Sequence, residues 1–104
     1  MQRNDAMKPS KLTVQNIADY LRIDDIGEVE KEEIDNMRLS AIAYIKSYTG
    51  LAEEELDEHE DITQALLLLI ADMYDNRNIY LEGKSGNRNK AVDSILNMHS
   101  VNLL

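Results

Sequence analysis

Residues 65–80 read ALLLLIADMYDNRNIY, an unbroken apolar run that passes into a polar, hydrogen-bonding end. At helical spacing Leu66, Leu69, Ile70, Met73 and Arg77 share one face, Leu67, Ala71 and Tyr74 mark a second, and Leu68 opens a third. A helix apolar around most of its circumference has to be enclosed, by its own domain or by a neighbouring chain. A membrane span needs about 20 such residues, and Asp72 and Asp75 interrupt this run too early. The stretch therefore predicts a buried central helix, with Leu66, Leu69, Ile70, Met73, Tyr74 and Arg77 as its core and structural residues.

The rest of the chain has to supply the enclosure. With 104 residues there is material for one domain and one core, and none for a separate catalytic domain. The chain contains neither Phe nor Trp, so the core is built from Leu, Ile, Met, Ala and five Tyr. Without cysteine there is no disulfide framework and no thiolate chemistry, which suits a reducing compartment. Twenty acids against eleven Lys and Arg give a formal net charge of -9, the opposite sign from a free-standing nucleic-acid binder.

Working outward, residues 1–11 lack apolar periodicity, carry the only proline, Pro9, and predict a flexible leader. Thr13 is a suitable N-cap for a short helix ending near Arg22, with Leu12, Ile17, Tyr20 and Leu21 on its apolar face. A long helix is expected from about residue 30 to 48, striped by Ile34, Met37, Ala41, Ile45 and Tyr48 and closed by a left-handed Gly50. Asp57 with Glu60, or Asp61 with Gln64, offers a capping arrangement for the central helix. Residues 82–89, EGKSGNRN, read as a loop. A last helix is expected over residues 90–98, with Val92, Ile95, Leu96 and Met98 inward, followed by a tail at 99–104. The fold class is thus all-α, a small bundle of about four helices around a central apolar one, with the domain proper at residues 12–98.

Charge is unevenly distributed. Residues 22–35 hold seven acids against Arg22 and Lys31, and residues 51–64 hold seven acids with no base. The first block follows a helix that imitates the opening of a helix-turn-helix, through Thr13, Ile17, Ala18 and Leu21. A recognition helix would have to offer Arg, Lys, Asn or Gln there, and this acidic segment repels phosphate instead. The basic cluster is Lys84, Arg88 and Lys90. Those three, with the apolar Val101, Leu103 and Leu104 of the tail, are the candidate partner contacts.

A search for chemistry returns no enzyme and no cofactor site. His59 and His99 are far apart in sequence and read as surface or cap residues, not as metal ligands. Aligning an EF-hand glycine on Gly27 puts Arg22 at the first ligand position, and aligning it on Gly83 puts Asn78 there. The segment GKSGN at 83–87 lacks the spacing of a phosphate loop and follows a helix, not a strand.

Three pieces in order, YLRID at 20–24, YIKSYTG at 44–50 and ALLLLIADMYDNR at 65–77, resemble the small head-to-tail connector proteins of tailed bacteriophages, which are often labelled adaptor or DNA-packaging proteins. The resemblance covers roughly residues 12–98. Its most specific parts are the Tyr-Thr-Gly helix stop and the Leu-rich helix running into Met73, Tyr74, Asp75, Asn76 and Arg77. It implies a non-enzymatic structural subunit of the virion, assembled in the host cytoplasm. Copies of the chain would form a ring below the portal protein, extend the DNA channel and dock the stopper or tail-completion protein. DNA would pass through without sequence-specific binding, and no membrane would be involved. An acidic lining would let a duplex slide, which makes Glu53, Glu54 and Glu55 the candidate channel-facing residues. The alternative reading is a small acidic helical binding module, such as a prophage-encoded DNA-mimic inhibitor of a host protein.

Overall fold

The computed structural model describes residues 8–76 and 90–100. Every regular element among them is helical: a 3-10 turn at Pro9–Lys11, then α1 (Val14–Leu21), α2 (Glu28–Thr49), α3 (Glu53–Leu56), α4 (Glu60–Asp75) and α5 (Lys90–His99). The all-α class is as expected, with four longer helices and one single-turn helix, α3.

Local chemistry sets the boundaries. At the start of α1 the Thr13 hydroxyl accepts from Asn16 N at 3.0 Å, and Asn16 Oδ1 accepts from Thr13 N at 3.1 Å, a reciprocal cap. The helix ends in a left-handed Arg22, φ 62°, with Ile23 N donating to Ala18 O and Arg22 N to Asp19 O. That is the Schellman arrangement, built here on a residue with a side chain where glycine is usual. Gly50, φ 77°, closes α2 with its N–H on Lys46 O. Acids Glu28 and Glu30 occupy the first turn of α2 and Lys46 the last, each at the favourable end of the helix dipole.

The core surrounds α4. Ile62, Ala65, Leu66, Leu67, Leu69 and Ile70 are buried against Ile17 of α1, Ile34, Ala41, Ile42 and Ile45 of α2, Leu56 of α3 and Val92 and Leu96 of α5. Leu68, Met73 and Tyr74 are half-buried. The apolar circumference of this helix is therefore covered largely within one chain, and Leu68 is the one leucine of the run that is not buried.

Several expectations are corrected. The leader is shorter than residues 1–11: Pro9 is buried, and Ser10 donates to Asp57 from its backbone N–H at 2.9 Å and from its hydroxyl, so residues 8–11 are part of the domain. Residues 1–7 lie outside the described residues. The central helix begins at Glu60 with His59 as N-cap and no side-chain cap bond, because Asp57 is engaged by Ser10 and Asp61 by His99. Tyr20 and Met98 point outward, Met98 at 69% exposure, where inward positions were expected. At the C-terminal end the domain extends beyond residue 98, since His99 and Ser100 are both bonded to it, while residues 101–104 lie outside the described set.

Two stability measurements test this account. Leu66→Ala leaves a cavity in the fully enclosed centre and is expected to cost about 3 kcal/mol in urea unfolding followed by circular dichroism. Arg22→Gly relieves the left-handed backbone and is expected to raise stability by about 1 kcal/mol.

Candidate functional surface

The sequence-predicted acidic triplet lies on α3. Glu53, Glu54 and Glu55 are all exposed, while Leu56 beneath them is buried and fixes the turn to the core. Glu55 has a local duty, its Oε1 accepting from Ala52 N at 2.7 Å. Glu53 and Glu54 make no such bond and present their carboxylates to solvent. Serine 10 holds the far end of α3 through Asp57, so the acidic turn is clamped on both sides.

The first acidic block spans the α1–α2 connection and the opening turns of α2. Asp35 is bound by Arg38 of the same helix, with Nε at 3.0 Å and Nη2 at 2.9 Å from one oxygen, and Glu28 lies 3.7 Å from Lys31. The Glu28–Lys31 pair is exposed, and such pairs contribute little to stability. Val14, Glu28, Val29, Lys31, Glu32 and Asp35 line a shallow open depression of about 450 Å³ here.

A third cluster joins three helix ends and was not foreseen. The Tyr48 hydroxyl, near the end of α2, donates to Asn97 Oδ1 at 2.6 Å, and the Ser100 hydroxyl donates to Tyr48 O at 3.3 Å. His99 Nε2 lies 2.8 and 2.9 Å from the two oxygens of Asp61. An ionised carboxylate only accepts, so Nε2 carries the proton. Asp61 stands in the first turn of α4, where the helix dipole favours a carboxylate, and His99 stands in the last turn of α5. The His59 ring packs against that of His99 with centroids 4.2 Å apart and the planes tilted by 36°. His59 does occupy a cap position, and the two histidines, far apart in sequence, are in contact. No local signal in the sequence could bring these groups together, because the bonded pairs are 38 to 52 residues apart.

Among the described residues no group of three His, Asp or Glu is placed to hold a metal ion, and no helix is long and apolar enough to cross a membrane. The cluster at the helix ends ties α2, α4 and α5 together.

The remaining candidates divide by position. Leu66, Leu69 and Ile70 are buried and Met73 and Tyr74 half-buried; Lys90 is exposed at the first position of α5. Arg77, Lys84, Arg88, Val101, Leu103 and Leu104 lie outside the described residues. Exposed large apolar side chains not singled out from the sequence are Val29 at 71% and Leu39 at 53%, both on α2. Compared with protein-family models, with curated proteins and with solved structures, the chain matches none.

His99→Ala removes the Asp61 bond and the ring contact together. The expected loss is about 1 kcal/mol in urea unfolding, larger than for His59→Ala, which keeps the bond.

Proposed function

We propose that the chain is a head-to-tail connector subunit of a tailed phage or prophage, one copy of a ring that sits below the portal, continues the DNA channel and docks the stopper or tail. The observation that carries this reading is the order of the three family-like sequence pieces together with where they fall in the fold. YLRID contains the left-handed stop of α1, YIKSYTG the stop of α2 and the Tyr48 bond to α5, and ALLLLIADMYDNR the enclosed helix and its exit. Each piece therefore specifies a helix end or the core, which are the features that define the domain.

A connector needs no catalytic step, only a stiff small domain with surfaces for neighbours. The uncovered apolar side chains of α2 and the exposed Met98 of α5 suit that need. The acidic α3, held to the core by Leu56 and clamped by Ser10, suits a wall past which DNA moves, because fixed negative charge repels phosphate.

Mixing the purified chain with the portal of the same phage is expected to give a ring-shaped complex in electron micrographs. Absence of binding under packaging conditions would reject the connector reading, and capture of a nuclease or polymerase in its place would favour the DNA-mimic alternative. Within the ring, Glu53→Lys combined with Glu54→Lys leaves the Glu55 cap intact and is expected to slow DNA packaging or ejection without preventing ring assembly. Unchanged packaging and ejection would remove α3 from the channel wall.

A further inference from the structure

The longest helix, α2, has an outer face whose side chains are exposed and that none of the described residues covers. Along α2, Asn36, Leu39, Ser40, Ala43 and Ser47 are all exposed and none carries charge, in a chain where 30% of residues are charged. At one edge of this face lie Glu32, Leu39 and Lys46, seven residues apart and so nearly in line along the helix axis. Glu32 and Lys46 are exposed, and neither takes part in an ion pair among the described residues. The order along the edge is acid, leucine, base.

That order is complementary to its own reverse. We propose that α2 pairs antiparallel with α2 of a second copy of this chain, about a two-fold axis passing beside Leu39. The axis brings Leu39 against the partner's Leu39 and sets Glu32 against the partner's Lys46 at both ends, two ion pairs by symmetry. A parallel alignment of the same edges places Glu32 on Glu32 and Lys46 on Lys46, so charge selects the antiparallel one. The small side chains of Ser40, Ala43 and Ser47 let the two backbones approach to ordinary helix-packing distance. A contact one helix wide falls at the low end of interface sizes, so the pair forms reversibly as concentration rises. The inference goes beyond the connector reading and does not rest on it: a ring contact is heterologous, whereas this one is isologous.

The test uses the full chain in sedimentation velocity over the micromolar to millimolar range. Wild type is expected to pass from monomer to dimer, less readily at high salt. Lys46→Glu alone and Glu32→Lys alone are each expected to weaken the dimer by about tenfold or more, and the double exchange to restore it to within about threefold. The chain has no cysteine, so Leu39→Cys provides a clean probe. Oxidation is expected to give a covalent dimer at Leu39, whereas Val29→Cys does not cross-link. Antiparallel pairing separates the two 29 positions by about 30 Å, far beyond disulfide reach. All these positions are exposed, and unchanged circular dichroism identifies variants that keep the fold. A monomer throughout, a dimer indifferent to the charge reversals, or equal cross-linking at Val29 overturns the proposal.

Discussion

The enclosure of α4 is the constraint on which the rest depends. A 16-residue helix with Leu66, Leu67, Leu69 and Ile70 all buried needs neighbours on nearly every side, and the chain has neither Phe nor Trp to fill that space. Each buried aliphatic side chain contributes about 1.5–3 kcal/mol of transfer free energy, much of it offset by the entropy of ordering the segments that cover it. Coverage by several short pieces is what the structure uses: Ile17 from α1, Leu56 from a single helical turn, Pro9 and Leu12 from the chain's early residues, and Val92 and Leu96 from α5. Short pieces hold poorly by apolar contact alone. This is why the polar bonds of the domain gather where those pieces meet, with Ser10 on Asp57, Tyr48 on Asn97 and His99 on Asp61.

Those polar bonds add direction to a core that has little of its own. Leucine and isoleucine pack in many registers, whereas a hydrogen bond is satisfied only over a narrow range of distance and angle. The bond from Tyr48 to Asn97 sets the end of α2 beside the end of α5, and the bond from His99 to Asp61 sets the end of α5 beside the beginning of α4. With α4 packed along α5, the second bond is that of two helices running antiparallel. The dipole of α4 favours the same arrangement, with the acid Asp61 in its first turn.

What the sequence made legible follows from range. Helix caps act over three or four residues, so Thr13 and Gly50 announced their helix ends, and the apolar run announced the core helix, whereas the left-handed stop at Arg22 had no cap signal. Periodicity also identified Ile34, Ala41, Ile45, Val92 and Leu96 as inward-facing. It failed where a tertiary partner decided the outcome. Asp57 and Asp61 had the local spacing of caps, yet each is claimed by a residue at least 38 positions away. Residues 8–11 looked polar and irregular, but one buried proline and one serine hydroxyl were enough to attach them. The acids proposed to line a channel were legible only as a run of charge. That Glu55 spends its carboxylate on its own helix start, while Glu53 and Glu54 do not, required coordinates.

The outer face of α2 brings the proposed function and the proposed pairing into relation. A subunit that assembles only on its docking partner has to remain dispersed beforehand, although it carries apolar side chains meant for neighbours. The proposed isologous pair would cover the exposed Leu39 and close on itself, so it would stop at two copies and not propagate. Heterologous contacts along a ring then compete with it, and they prevail wherever a template raises the local concentration of subunits in the ring orientation. The long helix would thus serve two exclusive contacts. The proposed pair, which depends on Glu32 and Lys46, would weaken as salt rises.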